Sequence, residues 1–246
     1  MLNRAEIEQA ASAVGFDACG VARAGALTDS EYPLRAWLAK GWHGGLDYME
    51  RNVDKRLDPR QLLPGARSVI CCVSAYPPPE TTGGVAAYAR TREYHKVVKD
   101  MLFALRQKLG IEGKVCCDTV PISDKHWAAR AGLGWIGRHT LLVTGRWGSW
   151  VNLGEIVTAE ECDSYDAPLA SGCTDCNLCV EACPNHAIGE NMIDVRRCTA
   201  YYTTHHTREL PPDVDPYGYT MGCDLCQLAC PHNATAALKP IIHGNK

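Results

Sequence analysis

The sequence predicts an α/β domain over residues 1–160 followed by a small cysteine-rich module over residues 161–246. Three observations carry that division: helix-periodic and strand-like segments alternate through the first 160 residues, eight of the 14 cysteines fall between Cys173 and Cys230, and an acidic, turn-like stretch from Ala159 to Gly172 connects the two. With 246 residues and 46% hydrophobic content, the chain can bury a sizeable core. No apolar run approaches the roughly 20 residues of a membrane-spanning helix, and the N-terminus MLNRAEIEQAASAVG has neither an apolar signal core nor a twin-arginine pair. A cytoplasmic protein without a membrane partner is expected.

The elements follow in order. Asn3 with Glu6 makes a capping-box-like start, Ile7, Ala10, Ala11 and Val14 form one helical face, and Gly15 can end that helix. DACGVARA reads as a strand, Leu34 to Lys40 as a helix closing at Gly41, and SVICCVSAY (68–76) as a buried strand broken by the prolines at 77–79. Val97, Val98, Met101, Leu102, Leu105 and Leu109 recur at helical spacing. KVCCD (114–118), TLLVT (140–144) and WVNLGEIVT (150–158) bring the expected strands to between four and six.

The formal charge is −3, and it lies entirely in the module, where residues 173–246 hold five Lys or Arg against eight Asp or Glu. No global basic field draws in nucleic acid, so any such contact must be local. A P-loop and a GxGxxG fingerprint after a strand are both missing from the sequence, and no nucleotide site is signalled.

The module carries the chemistry. CTDCNLCVEACP places Cys173, Cys176, Cys179 and Cys183 before Pro184 at the CxxCxxCxxxCP spacing of a bacterial ferredoxin half, and CDLCQLACP places Cys223, Cys226 and Cys230 before Pro231, with Cys198 between. In such a run three thiolates grip one cubane while the fourth points to the other. Cys173, Cys176, Cys179 and Cys230 then bind one 4Fe–4S cluster, and Cys183, Cys198, Cys223 and Cys226 bind a second. A ferredoxin-like double-cluster module results. Zinc also accepts four thiolates, but CP after both runs is foreign to zinc modules. The other six cysteines, Cys19, Cys71, Cys72, Cys116, Cys117 and Cys162, sit mostly in apolar runs, where small core hydrophobes are expected. Two adjacent clusters conduct electrons, so an acceptor must lie in the first domain.

The stretches GWHGGLDYMERNVDKRLDPRQLLPGARSV, YARTREYHKVVK, DTVPISDKHWAARAGLGWIGRHTLLV and GSWVNLGEI, together with RRCTAYYT between the cysteine runs, resemble the epoxyqueuosine reductase family, collinearly from about residue 15 to residue 233. The resemblance implies a base-off cobalamin bound between an α/β domain and the cluster module, in a cytosolic enzyme related to reductive dehalogenases. It implies removal of the epoxide oxygen of epoxyqueuosine in tRNA, during queuosine biosynthesis, with electrons from a low-potential donor such as a flavodoxin or ferredoxin. A monomer is expected.

Residue by residue, Asp118 matches the family's proton donor facing the corrin, Arg56 and Tyr88 would lie against the ring, and backbone near Leu142, Leu153 and Ala200 would line it. Without the resemblance, Asp118 also fits a helix N-cap, Arg56 a solvated charge, and Tyr88 core packing. His95 is a second candidate ligand or phosphate contact, and His205 and His206 receive no role. Longer family members continue into a helical-repeat domain, whereas this sequence stops 16 residues after Cys230 and carries Val120 where a small residue is usual. Two alternatives therefore stand beside the tRNA reductase: a corrinoid enzyme reducing a small molecule, and a double-cluster electron carrier without corrin.

Overall fold

A computed structural model describes residues 1–90, 93–189, 191–204, 209–234 and 236; His205 and His206 lie outside them. The chain begins with α1 (Arg4–Ala13), β1 (Ala18–Arg23), α2 (Thr28–Ala39), α3 (Val53–Leu57), β2 (Ser68–Ala75), β3 (Gly84–Val85), α4 (Tyr94–Lys108) and β4 (Lys114–Cys116). It continues through α5 (Asp124–Arg130), β5 (Trp135–Ile136), β6 (Leu142–Val143) and β7 (Val151–Thr158). The module holds α6 (Leu178–Glu181), β8 (Ile188–Gly189), β9 (Met192–Ile193), α7 (Thr199–Thr204), β10 (Tyr219–Met221), α8 (Leu225–Leu228) and α9 (Pro231–Ala234).

β1, β2, β7 and β4 form one sheet in that order, and every pairing in it is antiparallel. Hydrophobic pattern reports burial but carries no strand direction, so alternation of strand and helix did not reveal this. Alternate residues of the strands face two cores. Ile7, Ala10 and Ala11 of α1 and Val98, Leu102 and Leu105 of α4 pack on Val21, Ile70, Cys72 and Ile156. On the other face Trp127 and Ala128 of α5 cover Val69, Cys71, Cys116 and Val157. The strand expected over TLLVT shrinks to Leu142–Val143 and pairs with Trp135–Ile136 in a separate hairpin, because Thr140 adopts the left-handed region at φ 64° and turns the chain. The second helix starts at Thr28 rather than Leu34 and runs through Pro33.

All six cysteines outside the two cysteine runs are buried, four in the first core and two in the second. They serve as small hydrophobes. The acidic connection is tied down: Arg4 Nε meets Asp166 Oδ2 at 2.7 Å, the same oxygen accepts from Val21 N, and Asp163 accepts from Arg4 N. Further along, Asn233 Oδ1 accepts from Ser149 N at 2.6 Å while Gln227 donates to Ser149 O at 3.0 Å. The intervening Gly148 is obligatory at φ 55°, since a Cβ there would stand 1.9 Å from Asn233 Oδ1.

Candidate active site and cluster module

β4 ends at Cys116, and the chain turns sharply through Asp118, which adopts φ 55°. A non-glycine residue in this region is held there by its surroundings. Its N–H donates to Asp124 Oδ1 at 3.3 Å, and its Oδ2 accepts from Tyr94 Oη–H at 3.1 Å and lies 2.7 Å from His95 Nε2. His95 Nδ1 in turn contacts the Glu93 carboxylate. Burial and then the charge of Asp118 push the Tyr94 phenol upward, so it remains a proton donor toward the carboxylate. Asp118 does not cap α5, whose N-cap position is Ser123.

Tyr88 reaches this group through Tyr94, their rings meeting edge-on with centroids 6.1 Å apart. Arg56, at the end of α3, donates to Tyr48 O at 3.4 Å and lies over the Tyr48 ring. Its Nε is buried without a partner among the described residues. Burial lowers the Arg56 pKa, while Tyr48, Asp124 and Asp118 hold it up, which places all three close to the guanidinium. An orphaned buried donor beside a partly exposed carboxyl suits a ligand rich in acceptors, as corrin amide side chains are. Leu142 is buried in the second core and Leu153 packs against it, with Leu153 O accepting from Cys117 Sγ at 3.5 Å. Ala200 lies on α7, one residue before Tyr201, whose hydroxyl accepts from Gly45 N at 2.8 Å. Tyr94 and the His95–Asp118 contact were not legible from sequence; a Tyr-His pair opening a helix was the available signal.

Behind Asp118 lies a pair of acids. Glu155 on β7 is fully buried, and neither carboxyl oxygen receives an N–H or O–H from a described residue. It contacts Asp124, and burial followed by the Asp124 charge raises the Glu155 pKa well above the carboxylate range. The two carboxyls thus share a proton. Because the native state holds a proton that the unfolded chain releases, this pair makes stability fall as pH rises through and above the ordinary carboxylate range. Glu155→Gln keeps a donor to Asp124 without the ionisation. The variant should match wild type near pH 4 and exceed it increasingly toward pH 8, each tenfold excess in native proton affinity being worth about 1.4 kcal/mol. Urea unfolding at the two pH values checks this, and equal stabilities at pH 8 would show that Glu155 ionises normally.

The eight module cysteines gather in two sets. Cys173, Cys176, Cys179 and Cys230 line one cavity together with Arg138, His139 and His232. Cys226 is surrounded by Cys198, Cys223 and Cys183. Burial, then like-charged neighbours, pushes the Cys226 thiol far up, and Cys223 is pushed up to about 12. Such thiols ionise only if a metal supplies positive charge, and four around each space fit a cubane. Among the described residues no three His, Cys, Asp or Glu converge on a single-ion geometry.

The two parts touch beside Tyr88. β3 pairs with β10, Asp224 Oδ2 accepts from Ala87 N at 2.8 Å, and a Cβ on Gly222 would meet Tyr88 Cε1 at 2.9 Å. Contacts therefore run from Gly222, next to Cys223, through Tyr88 and Tyr94 to Asp118.

Comparison with known proteins agrees with this arrangement. A family model described as epoxyqueuosine reductase QueG, DUF1730, matches residues 56–121, and one described as a 4Fe-4S double cluster binding domain matches residues 172–233. The epoxyqueuosine reductase of Leadbetterella byssophila is 34% identical, with 94% of this chain and 80% of that protein covered. That of Gloeobacter violaceus is 39% identical, covering 94% and 76%. The structure of epoxyqueuosine reductase from Streptococcus thermophilus superposes with a TM-score of 0.85 at 28% identity, covering 96% of this chain and 67% of that one. A crystal structure of epoxyqueuosine reductase with an epoxyqueuosine-modified tRNA stem loop gives 0.85 at 28% identity, with 94% of this chain and 65% of that chain covered. This chain thus spans about two thirds of the solved chains it matches. Among the described residues, no helix is long and apolar enough to cross a membrane. The matches cover both the segment carrying Arg56, Tyr88 and Asp118 and the segment carrying all eight module cysteines, and the chain belongs to the epoxyqueuosine reductase family.

Proposed function

We propose that this chain reduces epoxyqueuosine in tRNA to queuosine, with residues 1–160 as a cobalamin-binding domain and 161–246 as the electron-delivering module. The observation that carries the reading is the run of contacts from Gly222 beside Cys223 through Tyr88 and Tyr94 to Asp118, which sets a strained, hydrogen-bonded acid next to a two-cluster module.

Loss of the epoxide oxygen consumes two electrons and two protons and leaves an alkene and water. Cobalamin would supply a strongly reducing metal centre refilled one electron at a time from the clusters. Arg56 and Tyr88 would hold the corrin, with backbone at Leu142, Leu153 and Ala200 along it. Asp118 delivers a proton to the departing oxygen from a carboxyl whose side chain is 61% exposed and so open to a substrate. His95, at 2.7 Å, returns a proton to Asp118, and Glu93 on its far nitrogen keeps the imidazole aimed. Tyr94 holds the carboxyl oxygen in place. The pathway takes its electrons from a low-potential flavodoxin- or ferredoxin-like donor, and the protein acts as a cytosolic monomer.

Anaerobic reconstitution with hydroxocobalamin tests the assembly. The protein should retain about one corrinoid per chain through gel filtration, and the cob(II)alamin electron paramagnetic resonance (EPR) spectrum should lack splitting from an axial nitrogen. Incubation with tRNA bearing epoxyqueuosine at low salt should yield queuosine on nucleoside analysis. A protein that retains no corrinoid is an electron carrier. One that retains it but leaves the tRNA unchanged takes a different substrate.

A further inference from the structure

The turn joining β5 to β6 buries a histidine beside the first cysteine set. Gly137 N donates to Leu141 O at 2.9 Å and Thr140 N to Gly137 O at 2.8 Å, closing the turn around His139, which is 3% exposed. Gly137 makes room for the ring, since a Cβ there would lie 2.9 Å from His139 Cε1. Leu141 N–H donates to His139 Nδ1 at 3.2 Å. A ring nitrogen that accepts carries no proton, so the proton of the neutral imidazole is on Nε2. That Nε2–H is buried and has no acceptor among the described residues.

The same histidine lines the cavity enclosed by Cys173, Cys176, Cys179 and Cys230. Arg138 lines it too; its Nη2 donates to Thr174 O at 3.0 Å, tying the turn to the first cysteine run, and its Nε is a second buried donor without a partner. Buried N–H groups rarely stay unpaired, and the group that would fill this cavity presents sulfur acceptors. We propose that His139 donates through Nε2–H to a sulfur of the cluster held by Cys173, Cys176, Cys179 and Cys230 and thereby raises that cluster's reduction potential above what its four thiolates alone would set. A hydrogen bond to sulfur stabilises the more negative reduced core more than the oxidised one. The proposal rests on the assignment of a 4Fe–4S cluster to this cavity, and it does not depend on the identity of the substrate.

The test is an EPR-monitored redox titration of the reconstituted full chain, comparing wild type with His139→Leu and His139→Gln. Leu should lower the reduction equilibrium constant of one cluster about tenfold, equivalent to 59 mV for a one-electron couple, and leave the other unchanged. Gln, which keeps an N–H donor, should recover most of the loss. In wild-type protein carrying nitrogen-15 histidine, the reduced cluster should show a hyperfine coupling to that nitrogen, a readout needing no variant to fold. Unchanged potentials in a His139→Leu protein that retains about eight irons, or no histidine coupling in wild type, overturns the proposal. Wild-type protein that binds zinc or only about four irons overturns the cluster assignment beneath it, and is seen separately by metal analysis.

Discussion

Asp118→Asn should keep both clusters and cobalamin and lose turnover on the order of 100-fold or more, the effect typical of removing a general acid. Asparagine preserves the left-handed turn, which it tolerates well, and still offers an oxygen to Tyr94 and His95. The variant therefore separates proton delivery from loop geometry. Iron content and corrinoid retention should match wild type, while queuosine formation measured on modified tRNA collapses. If corrinoid is lost instead, Asp118 holds the cofactor and something else supplies the proton. His95→Gln should cost less, since Asp118 keeps its own proton-donating group.

Cys183→Ala should remove one whole cluster, and not the one its neighbours in sequence bind. Cys183 follows Cys173, Cys176 and Cys179 in one run, yet it lies with Cys198, Cys223 and Cys226 in space. The variant should fall from about eight irons to about four, with the remaining EPR signal belonging to the Cys173 set. Cys230→Ala should do the converse. Loss of both clusters together would mean that the module folds only as one unit, and loss of the Cys173 set from Cys183→Ala would overturn the crossed assignment.

Much of this was readable before any coordinates. The run SVICCVSAY is buried on both faces and forms β2, and the cysteine spacing implied the two sets that the fold brings together. What escaped was whatever depends on long-range contact or direction. Tyr94 and His95 are 24 and 23 residues from Asp118, and only the packing of α4 on the sheet brings them to it. The antiparallel order of the sheet leaves no mark on a pattern that encodes burial alone. Glu155 did leave one, a lone acid in the strand VNLGEIVT, and its partner Asp124 lies across the fold on α5. His139 was hidden in a glycine-rich turn whose glycines read equally as a cofactor approach or a tight reversal.

The most direct test is a single turnover with counted electrons. The reconstituted protein, reduced at its clusters and corrinoid and freed of excess reductant, is mixed with tRNA carrying epoxyqueuosine, and the metal centres and the nucleosides are followed together. The account predicts one queuosine formed for every two electrons lost from the metal centres, and no queuosine at a comparable rate from Asp118→Asn. Centres that stay reduced while the epoxide persists, in protein with full cluster and corrinoid content, would contradict it.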